Sequence, residues 1–378
     1  MIPYGRQSVD DEDIQRVVEV LRSDWLTTGP MVEKFEQAVA DFVGAKYAVA
    51  VSSGTAALHA AMAAAGIDSE DEVIVPTMTF AATANAVVFQ GGCPVFVDVL
   101  PNTLLVNLSE VEAKITSRTK AIVAVDYAGQ PGDYDRLRAI AAQHRLTLIA
   151  DACHSLGAEY KGRKVGTLAD LTVFSFHPVK HITTGEGGMI VSENPEYAEK
   201  MRRFRNHGIS TDHRQRSKND TWFYEMTDLG YNYRLTDFQC ALGVSQLQKL
   251  SGWIERRREI AREYDIAFAT LRTIKSLDTS ADVTHAYHLY VVKLEGAQPE
   301  RSRAAVFEAL RKEGIGVNVH YIPVHLHPFY QERFGGCSGM CLVAEEAYER
   351  ILSLPIYPAM EDRDVRKVVE TVWRAVER

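Results

Sequence analysis

Apolar residues recur along this chain in two alternating rhythms. SVDDEDIQRVVEVLRSDW (8–25) and MVEKFEQAVADFVG (31–44) carry them at helical spacing. Ser8 is the expected cap of the first helix, acidic residues fill its first turn, and Gly44 ends the second. The rhythm then shortens. A β-branched run, Tyr47 to Val51, meets Ser-Ser-Gly-Thr and gives way to an alanine-rich helix. DEVIVP, PVFVDV, TKAIVAVDYAG and LTLIADAC read as short apolar strands, separated by the helical stretches TFAATANAVVFQGG and DYDRLRAIAAQH. DLTVFSF and GGMIVS add two more strands. Short apolar strands alternating with helices predict an α/β fold with a mostly parallel central sheet covered by helices.

From about residue 245 the texture changes. LSGWIERRREIAREYDIAFATL reads as one long charged helix, and HAYHLYVVKL, SRAAVFEALRKEG and a final helix from Glu361 imply an α+β unit. The expected division is a large domain over 1–245 and a smaller C-terminal domain over 246–378. KNDTWFYEM, after a polar patch, reads as a loop.

Charge and cysteine usage narrow the function classes. A net charge of −8 argues against a nucleic-acid or anionic-membrane partner. Five scattered cysteines, at 93, 153, 240, 337 and 341, read as a reduced cytoplasmic protein. No apolar run approaches the ~18 residues of a membrane span, and MIPYGRQSVDDEDI has no leader-like apolar core. Cys337 and Cys341 have no second pair, and His320, His325 and His327 in HYIPVHLHP match no zinc spacing, so no metal is expected.

Candidate chemistry gathers at strand ends. SSGTAAL, Ser52 to Leu58, puts small residues where a strand becomes a helix, a place that suits a phosphate or an ordinary turn equally well. Asp151 ends a strand in IADACHS, where parallel sheets collect ligands; it reads either as the partner of a buried cation or as a turn aspartate. FSFHPVKHITTGEGG runs from an apolar strand through Ser175 into Lys180 and a glycine-rich turn. A single lysine is more often a surface residue than a reactive one. The combination carries more weight: a phosphate turn, a strand-end aspartate and a lysine able to form a Schiff base are the needs of pyridoxal 5′-phosphate.

The order SSGTAAL, PTMTFAATANA, DACHSLGAEYKGRKVG, FSFHPVKHITTGEGG and GYNYRLTDFQCALG resembles the sugar aminotransferases of the DegT/DnrJ/EryC1/StrS family, over nearly the whole chain. The resemblance implies a fold-type I pyridoxal-phosphate transferase that aminates nucleotide-linked keto-sugars. It implies Lys180 as the Schiff-base lysine and Asp151 as the partner of the pyridine nitrogen. Gly54, Thr55 and Ser175 would hold the phosphate, and Phe80 would stack on the ring. His154 stands where many relatives have glutamine, which leaves its role open. Asn232 would reach the phosphate of the neighbouring subunit, making a homodimer part of the site. Relatives with histidine at the lysine position are dehydratases; this chain has Lys180, which also counts against a non-catalytic regulator.

Within that family, VDYAGQPGDYDRLRAIA, DACHSLGAEYKGRKVG and NVHYIPVHLHPFY look like the branch serving pseudaminic-acid synthesis. That likeness implies L-glutamate as donor and a UDP-linked 4-keto-6-deoxy-N-acetyl hexose as acceptor. Tyr4, the stretch Asp24, Trp25, Leu26 and Thr27, and the loop Asn318, Val319, His320 and Tyr321 would line the sugar-nucleotide site.

Overall fold

The structure is a computed structural model that describes residues 1–211, 213–296 and 302–377. Helices α1 (Asp11–Leu21) and α2 (Pro30–Val43) lead into β1 (Tyr47–Val51). Then α3 (Gly54–Ala64), β2 (Glu72–Pro76), α4 (Ala82–Phe89), β3 (Cys93–Val97) and α5 (Leu108–Ala113) alternate. They are followed by β4 (Thr119–Val125), α6 (Tyr134–His144) and β5 (Thr147–Asp151). Two short strands, β6 (Glu159–Tyr160) and β7 (Arg163–Lys164), precede β8 (Leu171–Ser175) and β9 (Gly188–Ser192). Next come α7 (Pro195–Phe204), α8 (His213–Lys218) and the 32-residue α9 (Asp237–Phe268). The chain ends with β10 (Ile274–Ser276), β11 (Val283–Thr284), β12 (Tyr290–Leu294), α10 (Arg303–Lys312), α11 (Pro328–Phe334), α12 (Leu342–Arg350), β13 (Ile351–Leu354) and α13 (Asp362–Val376).

Seven strands form the central sheet in the order β1-β9-β8-β5-β4-β2-β3, and only β9 runs against the rest. The mostly parallel sheet expected from the pattern is therefore present. Its strands are apolar throughout because both faces are covered. Val73 and Val75 of β2 pack on one side and Ile74 on the other; Ala121, Val123 and Val125 of β4 divide the same way from Ile122 and Ala124. Alanine-rich α3 is buried almost all round, and its small side chains let α4, α7 and the sheet approach it closely.

The first helix starts later than Ser8. Asp10 is the cap, accepting from the Asp13 N–H while Asp13 returns the bond, a reciprocal arrangement that outcompetes a serine two residues earlier. The long charged helix also starts earlier, at Asp237, behind a Thr236–Gln239 capping box. At 1.5 Å per residue it spans about 48 Å, and the expected 245/246 division falls inside it. Its C-terminal half packs with β10, β12, β13, α10 and α13 around Ile260, Tyr264 and Phe268, and Ile2 from the other end of the chain joins that cluster. All five cysteines are free, and among the described residues no helix is long and apolar enough to cross a membrane.

Asp237 fixes the connection between α1 and α2. Fully buried, it accepts from the Gly29 N–H at 2.7 Å and the Met31 N–H at 2.9 Å, at the N-terminal end of α2 where a negative charge is favoured. Gly29 is required by this approach, because a Cβ there would lie 2.5 Å from an Asp237 oxygen. Asp237→Ala strands both N–H groups and should cost roughly 2–4 kcal/mol. A urea titration should show a lower midpoint with an unchanged slope; an unchanged midpoint would mean the connection is held by other contacts.

Candidate active site

The carboxyl ends of β5 and β8 open on a cavity of about 570 Å³, within the range of small-molecule sites. It brings together Gly54, Thr55, Phe80, Asp151, His154, Ser175 and Lys180 from the large-domain strands and helices. Tyr4, Asn318, Val319, His320 and Tyr321 close it from the N-terminal and C-terminal segments.

Asp151 is the last residue of β5 and is buried. Its carboxylate accepts from the Thr83 hydroxyl at 2.7 Å and the Cys153 N–H at 3.3 Å, and Thr83 in turn meets Thr79 at 2.7 Å. No ion pair reaches it among the described residues. Such a carboxylate calls for a cation from outside the chain.

Lys180 lies five residues beyond β8, in a turn closed by its own N–H on the His177 carbonyl. Although part of the residue reaches solvent, burial pushes its amine below the ordinary lysine value, and Cys153 and Asp151 pull partly the other way. Among the described residues Nζ has no hydrogen-bond or ion-pair partner. A less protonated, unpartnered amine is a nucleophile in waiting.

The phosphate-sized end is built by close packing. Ser53 caps α3 by accepting from the Ala56 N–H, so the first two N–H groups of the helix, those of Gly54 and Thr55, face no described acceptor. Gly54 lies against Ser175, where an added Cβ would stand 2.8 Å from the serine Cβ. This packing sets the Ser175 hydroxyl beside the helix start.

His154 is buried and bonds Tyr321 through Nε2 and the hydroxyl at 3.1 Å. Burial pushes its imidazole well below the usual range, so the ring is neutral. His320 is held down to about 3, first by burial and then by Lys180; its Nδ1 pairs with the Ser353 hydroxyl at 2.8 Å and its ring lies 5.3 Å from Tyr4. Phe80 is exposed at the rim, 5.8 Å from the Tyr321 ring.

Comparison with known proteins decides what this geometry belongs to. Residues 7–373 match the DegT/DnrJ/EryC1/StrS aminotransferase family. The chain belongs to that family.

A Bacillus subtilis relative, spore coat polysaccharide biosynthesis protein SpsC, is 43% identical, covering 98% of this chain and 96% of its own. The Helicobacter pylori aminotransferase PseC, involved in the biosynthesis of pseudoaminic acid, superposes with a TM-score of 0.93 at 33% identity, covering 100% and 99% of the two chains. The sugar aminotransferase Spr1654 of Streptococcus pneumoniae, solved in PMP- and PLP-forms, gives TM-scores of 0.94 and 0.93 at 31% identity, with at least 98% of each chain covered. This protein is a sugar aminotransferase of that family and its cofactor is pyridoxal 5′-phosphate.

The residues present fit that group. The unpaired Asp151 suits a protonated pyridine nitrogen, the free Lys180 amine suits the aldehyde carbon, and the Gly54–Thr55 N–H groups with Ser175 suit the phosphate.

Five of the expected site residues lie elsewhere on this chain. Asp24, Trp25, Leu26 and Thr27 are exposed, with Thr27 bridged to Thr236. Asn232 is exposed and bridged to Asn206. Their neighbours Thr28 and Arg234 line a second cavity of about 300 Å³. The three histidines of HYIPVHLHP also diverge. His320 enters the site, whereas His325 is buried between Thr77 and Glu345, and His327 precedes α11. Residues that the sequence did not single out include Thr83, Cys153 and His288, all lining the main cavity. Thr83→Val keeps the shape and removes the donor to Asp151. It should weaken cofactor retention by about tenfold or more, read from the bound-cofactor absorbance after dialysis; unchanged retention would remove Thr83 from the site.

Proposed function

We propose that this enzyme moves an amino group from L-glutamate to C4 of a UDP-linked 4-keto-6-deoxy-N-acetyl hexose, giving UDP-4-amino-4,6-dideoxy-N-acetyl-β-L-altrosamine. The observation that carries the transaminase chemistry is the convergence of an unpartnered Lys180 amine, an unpaired Asp151 carboxylate and the open start of α3 in one cavity. Support for the acceptor comes from PseC and its part in pseudoaminic-acid biosynthesis. SpsC favours a second reading, an acceptor destined for a surface polysaccharide with a different keto-sugar.

The cofactor, when bound, supplies an electron sink for the bond to the substrate α-carbon. Asp151 keeps the ring nitrogen protonated, with Thr83 and the Cys153 N–H holding its carboxylate in place. Gly54, Thr55 and Ser175 would hold the cofactor's phosphate, and Phe80 at the rim would pack against its ring. The Lys180 amine, freed when the donor arrives, takes the donor's α-proton on Nζ and later returns a proton to the acceptor carbon. Tyr4 and the Asn318–Tyr321 loop orient the sugar.

Both proposed substrates are anions, yet among the described residues no arginine lines the cavity that holds Lys180. Arg202, Arg203, Arg205 and Arg234 all line the second cavity, beside the expected contacts that fall outside the first. A homodimer in which each subunit lends Asn232 and its arginine-rich surroundings to the other's site accounts for this separation.

Purified enzyme should show an absorption band that L-glutamate bleaches while 2-oxoglutarate appears; a UDP-linked 4-keto sugar should restore it. A band restored only by another nucleotide-linked keto-sugar favours the second reading, and no band after added cofactor overturns both. Lys180→Ala should be inactive, and turnover by the purified variant would overturn its role. Lys180→Ala mixed with Asn232→Ala should regain roughly a quarter of wild-type activity if sites are shared, since half the dimers are mixed and one of their two sites is intact. No recovery between subunits shown to exchange would count against sharing.

A further inference from the structure

Behind the cavity stands a column of imidazoles that the transaminase reading leaves without a task. His154, His288 and His181 are 6%, 5% and 3% exposed. The ring centroids are 4.2 Å apart for the first pair and 5.6 Å for the second. Each of the three has a buried Nδ1 with no hydrogen-bond partner. Arg257, 1% exposed beyond them, has the same orphan at Nε. Four such atoms in one group are unusual, because a buried polar atom left unpaired costs about 1–3 kcal/mol.

The column is uncharged at neutral pH. Burial pushes all three imidazoles well below their usual range, and the positive charge of Lys180 acts in the same direction on each. A neutral imidazole has one donor and one acceptor, and its neighbours decide which nitrogen is which. His181 is settled, since its Nε2 lies 3.1 Å from the Ala286 carbonyl, which can only accept. His154 is not settled by Tyr321 alone, because a phenol hydroxyl can donate or accept.

We propose that His288 is a positioning residue of the cofactor site, fixing the orientation and tautomer of His154. The two rings are in contact and both present an orphan Nδ1. One hydrogen bond between these atoms, made by a small ring rotation or through a single water, satisfies both. With the His288 Nδ1 as the acceptor of that bond, His154 carries its proton on Nδ1 and its Nε2 accepts from the Tyr321 hydroxyl. The ring is thereby clamped between His288 and Tyr321, whose ring lies 6.1 Å away at an interplanar angle of 28°. Stacking alone could be supplied by phenylalanine; the nitrogen could not.

The inference rests on the cavity being the cofactor site, so wild-type holoenzyme is the control. His288→Phe keeps an aromatic ring and removes the nitrogens. It should weaken cofactor binding about tenfold, as losing a partner that orients a contact residue commonly does. The pH midpoint of the bound cofactor's absorption band should also move, with little change in melting temperature. His288→Gln, which keeps an acceptor, should restore most of both. Wild-type affinity and midpoint in His288→Phe would overturn this inference alone, whereas wild-type protein without a band would overturn the reading beneath it. If His288→Phe does not fold, a double-mutant cycle of His288→Leu, which removes the nitrogens, with Tyr321→Phe decides. Non-additive changes in affinity support a shared hydrogen-bond line through His154, and additive changes overturn it.

Discussion

The site depends on β5 and β8 being hydrogen-bonded neighbours that run in the same direction. Asp151 pairs in register with Val173, so the carboxylate ends its strand within two residues of Ser175. The chain leaving β8 must turn at the same sheet edge, and it carries Lys180 back toward Asp151 before β9 returns antiparallel. The α3 start reaches this edge because β1 pairs with β9, and Gly188 of β9 lies so near Ser53 that an added Cβ would stand 2.3 Å from its carbonyl oxygen. The pairings of β5 with β8 and of β1 with β9 thus place an acid, an amine and a helix N-terminus at one sheet edge. Loss of register at β5 or β8 would separate all three.

Charge in the cavity is kept scarce, and this shapes its chemistry. His154, His288 and His320 are all pushed down by burial, so none of these three presents a protonated imidazole to Lys180. Burial depresses the amine, and the Asp151 carboxylate that acts on it is held by neutral donors. In such surroundings each ionisable group responds strongly to what binds, because burial weakens the screening around it. A cationic group beside Asp151 and an anionic one at the α3 start would therefore complete a charge pattern that the protein leaves half-made.

Much of this was legible in the sequence. The alternation of apolar strands and helices announced the sheet, and FSFHPVKHITTGEGG marked Lys180 before any contact was known. The convergence of Tyr4 with Asn318–Tyr321 came from resemblance rather than from periodicity, since residues more than 300 positions apart leave no local signal. Thr83 could not be read locally either. It sits in an ordinary alanine-rich helix, and its value arises from Asp151, 68 residues away. His288 looked like one polar residue leading into β12, and only the fold brings it against His154. The start of α1 went to Asp10 because a reciprocal pair of bonds is stronger than a single serine cap, a distinction that composition does not reveal.

The two sources of side chains around the cavity divide the work of a transaminase. Groups suited to the cofactor come from the central sheet and the helix starts beside it, where packing on both faces restricts movement. The groups that close the cavity opposite them come from residue 4 and from 318–321, segments that lie against the C-terminal core through Ile2, Val317 and the Asn318–Ser353 bridge. Substituting the second set need not disturb the first. Recognition of one keto-sugar over another can rest on a few polar groups, because a site built to bond a particular hydroxyl leaves buried atoms unpaired with the wrong sugar. A frame that is 43% identical to SpsC and 33% identical to PseC is therefore compatible with different acceptors. The discriminating contacts should be sought at Tyr4, Asn318 and His320, where His320 is fixed by Ser353 and the Asn318 amide lies 3.4 Å from its Nε2. A rigid His320 favours an acceptor that meets it in one orientation.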